Sequence, residues 1–236
     1  MPRVIVLGCG TGVGKTRVSV ALLQELTAAN RTCIGLKPIE SGVRSRPLSP
    51  PSGSDAEALA DAGSLRVQVQ HPLYALAEPV SPHLAARLSG TEIAAPRVAE
   101  WVTAAEQLVT PLVSSGSAIW TVVESAGGVF SPLAVGLTNF ELALALEPAT
   151  WVLVGADSLG VLHDVSATLQ AMRARGRQPE HVVLSAARAP DASTGRNAAE
   201  LSALGIATPS AVLERNNQRG MRELVLRLLA SEAEAT

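Results

Sequence analysis

The sequence predicts an α/β fold with a mostly parallel sheet and helices on both faces. Short apolar runs alternate along the chain with longer segments of helical periodicity, which is the pattern of repeated βα units. The short runs are almost continuously apolar, as strands buried on both faces are. The predicted strands are Arg3–Leu7, Thr32–Leu36, Ile119–Val123, Trp151–Gly155 and His181–Ser185.

The longer segments predict the helices that cover this sheet. The first of them places Val18, Leu22 and Leu26 on one apolar stripe. The predicted helices are Lys15–Ala29, Asp55–Ala62, Pro82–Leu88, Ala95–Val113, His163–Arg175, Gly195–Leu204 and Arg219–Ala233. The Ser-, Pro- and Arg-rich segment Arg44–Ser54 is predicted to be an exposed loop. No long linker divides the chain, so we expect residues 1–236 to form a single domain.

The composition restricts the classes of function. With 47% hydrophobic and 17% charged residues, the chain has the balance of a packed soluble protein. A formal net charge of -2 argues against a nucleic-acid partner, since such proteins carry a basic surface. The absence of a long apolar run or a signal-peptide pattern predicts no membrane segment. The two cysteines, Cys9 and Cys33, suit a reduced, cytoplasmic setting.

The lysines are unusually placed. Of the 19 basic residues, 17 are arginines and two are lysines, Lys15 and Lys37. Both lysines lie in glycine-flanked motifs. A lysine supplies a compact ammonium that binds phosphate as a point charge, whereas an arginine is a planar fork. We therefore expect both lysines to serve an active site, the alternative being an accident of a GC-rich genome.

The first glycine-rich motif follows the first predicted strand and precedes a helix. It reads Gly-Cys-Gly-Thr-Gly-Val-Gly-Lys-Thr from Gly8 to Thr16, so a strand, a loop and a helix come in the order that a P-loop requires. Successive backbone N–H groups of such a loop cradle phosphate oxygens at the positive end of the helix. Lys15 is expected to reach the outer phosphates and Thr16 to ligate Mg²⁺. The fold is therefore predicted to be of the P-loop nucleotide-hydrolase type.

Polar residues also follow two other predicted strands. Lys37 and Ser41 come after the second strand, and Glu124 ends the third, ahead of a glycine-rich turn. The carboxyl ends of parallel strands border the crevice in which open α/β sheets bind ligands. Glu124 is thus a candidate acid on the Mg²⁺ side of the site. Asp55, at the start of a predicted helix, is either a ligand or a helix cap.

Together these motifs resemble the dethiobiotin synthetases, a P-loop family of the biotin pathway. The resemblance covers roughly residues 1–190 and depends on six motifs in the family's order. These are the loop from Gly8 to Thr16, Lys-Pro-x-x-Ser-Gly at Lys37–Gly42, Ser54-Asp55, Ala77-Glu78-Pro79-x-Ser81-Pro82-His83, the turn Glu124–Gly128 with Pro132-Leu133, and Leu159-Gly160.

The resemblance implies the reaction and the partners. The family uses ATP and Mg²⁺ to make a cyclic urea from 7,8-diaminopelargonic acid and CO₂, through a carbamate and a carbamic-phosphoric anhydride. It also implies a homodimer with substrate bound across the interface. Among the site residues, Thr16, Asp55 and Glu124 resemble the Mg²⁺ ligands. Thr11, Lys15 and Lys37 resemble the catalytic groups, and Thr11, Lys37, Ser41, Leu159 and Gly160 the substrate contacts. The residues that resemble the family's nucleotide contacts are Gly12, Val13, Gly14, Lys15, Thr16, Glu124, Gly127 and Gly128.

The chain departs from the family pattern at several positions. Gly10 and Gly12 stand where the family commonly has Asp and Glu, and Ser125 is the second residue of a turn that usually reads Glu-Gly-Ala-Gly-Gly. His163 replaces an Asn usual near the substrate carboxylate. Ser185 stands where an Asn often reads adenine, which leaves the base preference among ATP, GTP and CTP open.

Three other functions share parts of this pattern. A ring-forming ligase of the cobyrinic acid synthase type would need an additional amidotransferase domain, for which the chain is too short. A nucleotide switch of the chromosome-partitioning type carries a second lysine inside the glycine loop, and this loop has none. A degenerate homologue that binds nucleotide without turnover stays open because of Gly10 and Gly12.

Overall fold

A computed structural model of the chain describes residues 1–43, 53–66, 70–113, 118–215 and 217–235. The larger part of the predicted loop Arg44–Ser54 lies outside the described residues. The strands are β1 (Arg3–Gly8), β2 (Thr32–Leu36), β3 (Ile39–Ser41), β4 (Tyr74–Leu76), β5 (Ile119–Glu124), β6 (Pro132–Ala134), β7 (Leu137–Thr138), β8 (Thr150–Asp157), β9 (His181–Ala186) and β10 (Ala211–Leu213). The α-helices are α1 (Lys15–Ala28), α2 (Asp55–Ala62), α3 (Pro82–Leu88), α4 (Ala95–Val109), α5 (Asn139–Ala145), α6 (Val161–Ala174), α7 (Asn197–Ala203) and α8 (Arg219–Ala235).

The main sheet confirms the predicted parallel architecture. Its strand order is β10-β9-β8-β1-β5-β2, and each neighbouring pair runs parallel. The five strands expected from sequence all lie in it. Two small sheets, β3–β4 and β6–β7, flank the main one. All strands of the main sheet therefore end at one edge, where the glycine-rich motifs follow β1 and β5.

Successive residues of β1 pack in two different hydrophobic cores, one on each face of the sheet. Val4 and Val6 pack in one cluster with side chains of α1, α2 and α8. Ile5 and Leu7 pack in a second cluster with side chains from α3 to α7. Because successive side chains of a strand point to opposite faces, this partition places helices on both faces of the sheet.

Some elements differ from the prediction. The sixth strand β10, the small sheets and α5 were not expected from sequence; β10 has only three residues, too few to show a period. The helix expected over Ala95–Val113 ends at Val109 and continues as a 3-10 turn, Thr110–Leu112. Pro111 has no N–H to donate to an α-helical hydrogen bond, so the regular α-helical bonding is interrupted there. Helix α6 begins at Val161, two residues before the predicted start.

Candidate active site

The loop between β1 and α1 has the backbone of a phosphate cradle. Gly12 and Gly14 adopt positive φ angles of 75° and 95°, in the left-handed region that favours glycine. A Cβ on Gly14 would also lie 2.3 Å from the hydroxyl oxygen of Ser185. Both the backbone conformation and this contact therefore exclude a side chain at this position. Lys15 is buried, and its ammonium donates to the carbonyl of Gly10 across the loop at 3.2 Å. The loop therefore folds around its own lysine.

Four polar side chains from four parts of the sequence meet beside this loop. Thr16 donates from its hydroxyl to the Glu124 carboxylate at 2.9 Å. Lys37 donates to the same Glu124 oxygen at 2.5 Å and to the Asp55 carboxylate at 3.1 Å. It also contacts the carbonyl oxygen of Ser125 at 3.3 Å. Since only 4% of Lys37 is exposed, its ammonium is held inside the protein by two carboxylates.

The electrostatics keep Lys37 charged. Burial acts against the ammonium, but the negative charges of Glu124 and Asp55 more than offset it and raise the pKa of Lys37. Burial likewise acts against the carboxylate of Asp55, and Lys37 more than offsets it and lowers the pKa of Asp55. Both groups are therefore ionised at neutral pH.

Lys15 is in the opposite situation. Burial, together with the positive charge of Lys37, lowers the pKa of Lys15 to about 8. Glu124 and Asp55 oppose this shift but are not sufficient to cancel it. Among the described residues, no carboxylate forms a salt bridge with Lys15, and an anion beside it would be favoured.

The turn after β5 packs against the glycine loop. The backbone N–H of Val129 donates to the carbonyl of Gly8 at 2.8 Å, and a Cβ on Gly128 would lie 3.2 Å from the Cα of Gly10. The side-chain amide of Asn139 donates to the carbonyls of Ala126 and Gly128 at 2.7 and 2.8 Å. Asn139 opens α5, an element that sequence reasoning missed, so no motif pointed to it. The glycine loop and the turn after β5 therefore form one hydrogen-bonded unit.

These groups border a cavity of about 560 Å³, within the usual range for small-molecule sites. Among the residues predicted to form the site, those that line it are Thr11, Gly12, Gly14, Lys15, Thr16, Lys37, Ser41, Asp55, Glu124 and Gly127. Val13 and Gly128 belong to the same two turns without lining the cavity. Lining residues that the sequence analysis missed are Arg17, Glu40, Gly42, Val43, Gly53, Ser54, Ala126, Ala186 and Arg188.

Leu159 and Gly160 lie elsewhere. They connect β8 to α6, Leu159 is 85% exposed, and neither residue lines the cavity of its own chain. The Leu159 N–H donates to the Asp191 carboxylate at 2.8 Å, and Gly160 adopts a φ of 101° at the start of α6. His163 is exposed in the first turn of the same helix. Within one chain, the predicted substrate contacts are therefore divided between two places.

One residue singled out in the sequence, Ser185, does not border the cavity. Ser185 is fully buried beneath Gly14 and does not line the cavity. The residues after it that line the cavity are Ala186 and Arg188. Strand β9 therefore directs the Ser185 side chain under the glycine loop and not into the cavity.

The donors present fit Mg²⁺ bound together with phosphates. Thr16, Asp55 and Glu124 supply oxygen ligands, and the second carboxylate oxygen of Glu124 is buried without a hydrogen-bond partner among the described residues. No group of three or more His, Cys, Asp or Glu side chains in that part of the chain could hold a metal alone. Mg²⁺ commonly takes one or two carboxylates and completes its shell with water and substrate phosphates, so this small set suffices.

Comparison with known proteins agrees with the site. A family model described as an AAA domain matches residues 2–221. An ATP-dependent dethiobiotin synthetase of Anaeromyxobacter dehalogenans is 35% identical over 216 residues, which cover 90% of each chain. The corresponding protein of Escherichia coli O157:H7 is 35% identical over 176 residues, 74% of this chain and 73% of its own. The chain belongs to the dethiobiotin synthetase family.

Solved structures show the fold alone. The MinC:MinD cell division complex of Aquifex aeolicus aligns with a TM-score of 0.56 at 11% identity, over 98% of this chain and 96% of the matched one. A ParA-family ATPase of Chlorobium tepidum aligns with a TM-score of 0.50 at 14% identity, over 96% and 91%. These P-loop ATPases confirm the predicted fold class. The dethiobiotin synthetase relatives, by contrast, confirm the predicted family and enzyme class.

No helix in the described ranges is both long and apolar enough to span a membrane.

Proposed function

We propose that the cavity between Lys15 and Lys37 is the site where this chain closes the cyclic urea of dethiobiotin. The substrates are 7,8-diaminopelargonic acid, CO₂ and ATP. The observation that carries the assignment is Lys37, a buried ammonium fixed by Glu124 and Asp55 beside the glycine loop. Phosphoryl transfer requires positioning and positive charge more than covalent catalysis, and this arrangement supplies both.

The reaction has three steps, to which the residues contribute by binding and orientation. One substrate amine adds to CO₂ and loses a proton to solvent, forming a carbamate. A carbamate oxygen then bonds to the γ-phosphorus of ATP as the bond to the β-phosphate oxygen breaks. The second amine finally attacks the carbamoyl carbon, phosphate leaves, and the amine proton is released. We assign no histidine as general base, since none of the described histidines lines the cavity.

We call the cavity wall formed by the glycine loop, Lys37, Asp55 and the Glu124–Gly128 turn the phosphate side. Its residues have separate roles in binding. Lys15 and the N–H groups of Gly12, Val13 and Gly14 hold the β- and γ-phosphates. Lys37 and the Thr11 hydroxyl neutralise and orient the carbamate and the phosphoryl group moving toward it. Ser41, near Lys37 on the same cavity wall, contacts the substrate, and Gly127 and Gly128 border the nucleotide. These assignments are supported by where the side chains lie and by the family.

Mg²⁺, when bound, neutralises charge on the phosphates. Thr16, Asp55 and Glu124 would hold it, directly or through its waters. A nucleotide- and metal-bound structure tests this directly. An Asp55 carboxylate more than about 8 Å from the ion would contradict the assignment, because a water-bridged ligand lies nearer.

The working form is proposed to be a homodimer. Leu159 and Gly160 lie outside the cavity of their own chain, so their assignment as substrate contacts requires a second copy to deliver them. Sedimentation at assay concentration should give a dimer, and an active monomer would refute this part. The two unpaired cysteines support a cytoplasmic location.

The activity itself is tested by phosphate release in the presence of bicarbonate. Release should depend on 7,8-diaminopelargonic acid, and mass spectrometry should detect dethiobiotin. Full-rate ATP hydrolysis without the diamine, with no cyclic urea formed, would instead support a nucleotide switch.

A further inference from the structure

Glu40 is a buried carboxylate of the cavity wall that the proposed mechanism does not use. It lies on β3, three residues after Lys37, and only 6% of it is exposed. Its two oxygens accept hydrogen bonds from the backbone N–H groups of Asp55 and Ala56, at 2.7 and 3.1 Å. A carboxylate is costly to bury unless it is well hydrogen-bonded, which indicates that Glu40 does more than fill space.

The bonds complete the first turn of α2. The first N–H groups of a helix have no partner inside the helix. Ser54 caps the N–H of Glu57 through its hydroxyl, at 3.1 Å, and Glu40 caps the two N–H groups before it. Because Glu40 comes from a distant strand, it also anchors this turn to the sheet side of the cavity.

Asp55 is consequently held at two points by one short segment. Lys37 binds its side chain at 3.1 Å, and Glu40 binds its backbone N–H at 2.7 Å. An aspartate side chain has two rotatable bonds, so fixing its backbone and its carboxylate leaves it little freedom.

We propose that Glu40 is a positioning residue that fixes the Asp55 carboxylate against Lys37 and so aligns Lys37 for phosphoryl transfer. The inference rests on the function proposed for this site. A carboxylate suits the task because it offers two acceptors to two adjacent N–H groups, and negative charge is favoured at a helix N-terminus. Burial raises the pKa of Glu40, while the N–H groups of Asp55 and Ala56 act in the opposite direction.

The test compares Glu40→Ala with Glu57→Ala. Glu57 is a matched control because its carboxylate also accepts a backbone N–H at the start of α2, that of Gly53 at 2.5 Å, but it neither contacts Asp55 nor lines the cavity. Both variants should lower the melting temperature. Glu40→Ala should also reduce kcat about tenfold, with the KM for ATP changed less than about twofold, because a small displacement in a pre-organised site slows chemistry more than binding.

A double-mutant cycle separates positioning from general destabilisation. If Glu40 acts through Asp55, the Glu40→Ala/Asp55→Asn enzyme should be no slower than Asp55→Asn alone. Glu40→Gln keeps one acceptor oxygen and should recover part of the rate, which also provides a readout if Glu40→Ala folds poorly. Additive losses in kcat, or equal losses of kcat in Glu57→Ala and Glu40→Ala, would overturn the proposal.

The outcome is distinguishable from a failure of the proposed function. A wild-type enzyme that forms no dethiobiotin would refute the function before any variant is compared. Calorimetric titration with ATP and Mg²⁺ should give nearly unchanged affinity in Glu40→Ala. A large loss of that affinity would show that Glu40 supports nucleotide binding instead of the alignment of Lys37.

Discussion

The phosphate side of the cavity and the Leu159–Gly160 turn are built in opposite ways. The phosphate side is buried and closed by bonds among distant parts of the sequence, such as Thr16 to Glu124 and Lys37 to Asp55. The turn at Leu159 is exposed, and the backbone N–H of Leu159 donates to the carboxylate of Asp191. Both regions follow strands of the same sheet at its carboxyl edge.

This difference indicates what one chain can do alone. The described groups of the phosphate side come from one chain, so we expect nucleotide binding and the alignment of Lys37 to require no partner. The turn at Leu159 has an exposed apolar side chain and lies at a helix N-terminus, and neither Leu159 nor Gly160 lines the cavity of its own chain. Changes on the phosphate side should therefore act within one chain, and changes at Leu159–Gly160 should act on the neighbouring site.

Replacing Lys37 should give the largest effect and test the phosphate side. Lys37→Arg should keep nucleotide affinity but reduce turnover on the order of 100-fold, because a guanidinium differs from an ammonium in size and geometry and a shift of about 1 Å is costly in such a site. The measurements are kcat, ATP affinity and melting temperature. Near-normal turnover would remove Lys37 from the catalytic residues.

Lys15→Arg is the comparison for that variant. Lys15 lies inside the glycine loop and contacts the Gly10 carbonyl, so its replacement should weaken ATP binding as well as turnover. Equal ATP affinities in the two variants would show that the two lysines do not divide their roles in this way.

A charge at Gly160 should test whether the exposed turn serves a partner. Gly160→Asp would place a carboxylate where the substrate carboxylate is expected, raising the KM for the diamine about tenfold, which corresponds to about 1.4 kcal/mol. Gly176→Asp is the matched control: Gly176 lies just beyond the other end of α6, also with positive φ and with no atom within 4 Å of a Cβ. An equal rise in KM for both variants would indicate backbone strain alone.

Mixing two defective enzymes sharpens this test. When Lys37→Arg and Gly160→Asp chains form mixed dimers, one of the two sites should combine an intact phosphate side with an intact turn. Activity should then exceed that of either variant alone. No recovery, despite mixed dimers in native mass spectrometry, would mean that each site uses the Leu159–Gly160 turn of its own chain.

The sequence predicted the first region far better than the second. The phosphate side is encoded in contiguous motifs, so Lys15, Thr16, Lys37 and Glu124 could be recognised before the structure. Asp55 stayed ambiguous between a ligand and a cap because its meeting with Lys37 depends on tertiary packing. Glu40 and Asn139 were missed since each acts through backbone groups far away in sequence, which no spacing reveals.

The fold shows the same limit. Strands buried on both faces can be recognised in the sequence as apolar runs, and five of the six strands in the main sheet were predicted in this way. The three-residue strand β10 is defined by its pairing with β9, a long-range contact.

The pH dependence should give a smaller effect on the phosphate side. Since the pKa of Lys15 is lowered to about 8, Lys15 is charged below that pH and loses its charge as the pH rises through it. The kcat/KM for ATP, which reports the free enzyme, should therefore fall about fourfold between about pH 7 and about pH 8.5. In Lys15→Arg this limb should disappear, because a guanidinium stays charged; a retained limb would assign it to another group.

The choice of nucleotide base should give the smallest effect. We expect neither of the two regions compared to supply the base contact. Among the described residues, the cavity wall at the end of β9 is formed by Ala186 and Arg188, and Ser185 is buried beneath Gly14. Alanine offers no side-chain hydrogen bond, and an exposed arginine can contact any base. A neutral hydrogen bond contributes about 1 kcal/mol, or roughly fivefold in affinity, and without one the discrimination should be weaker than that.

We therefore expect the kcat/KM values for ATP, GTP and CTP to agree within about threefold. Arg188→Ala should lower all three together if its guanidinium stacks on the base without reading its edge. Ala186→Asn is the informative counterpart, because it places an amide at the cavity wall and should create a preference for one base. A strong preference in the wild-type enzyme would mean that backbone groups near Ala186 read the base edge, and Arg188→Ala should then leave that preference intact.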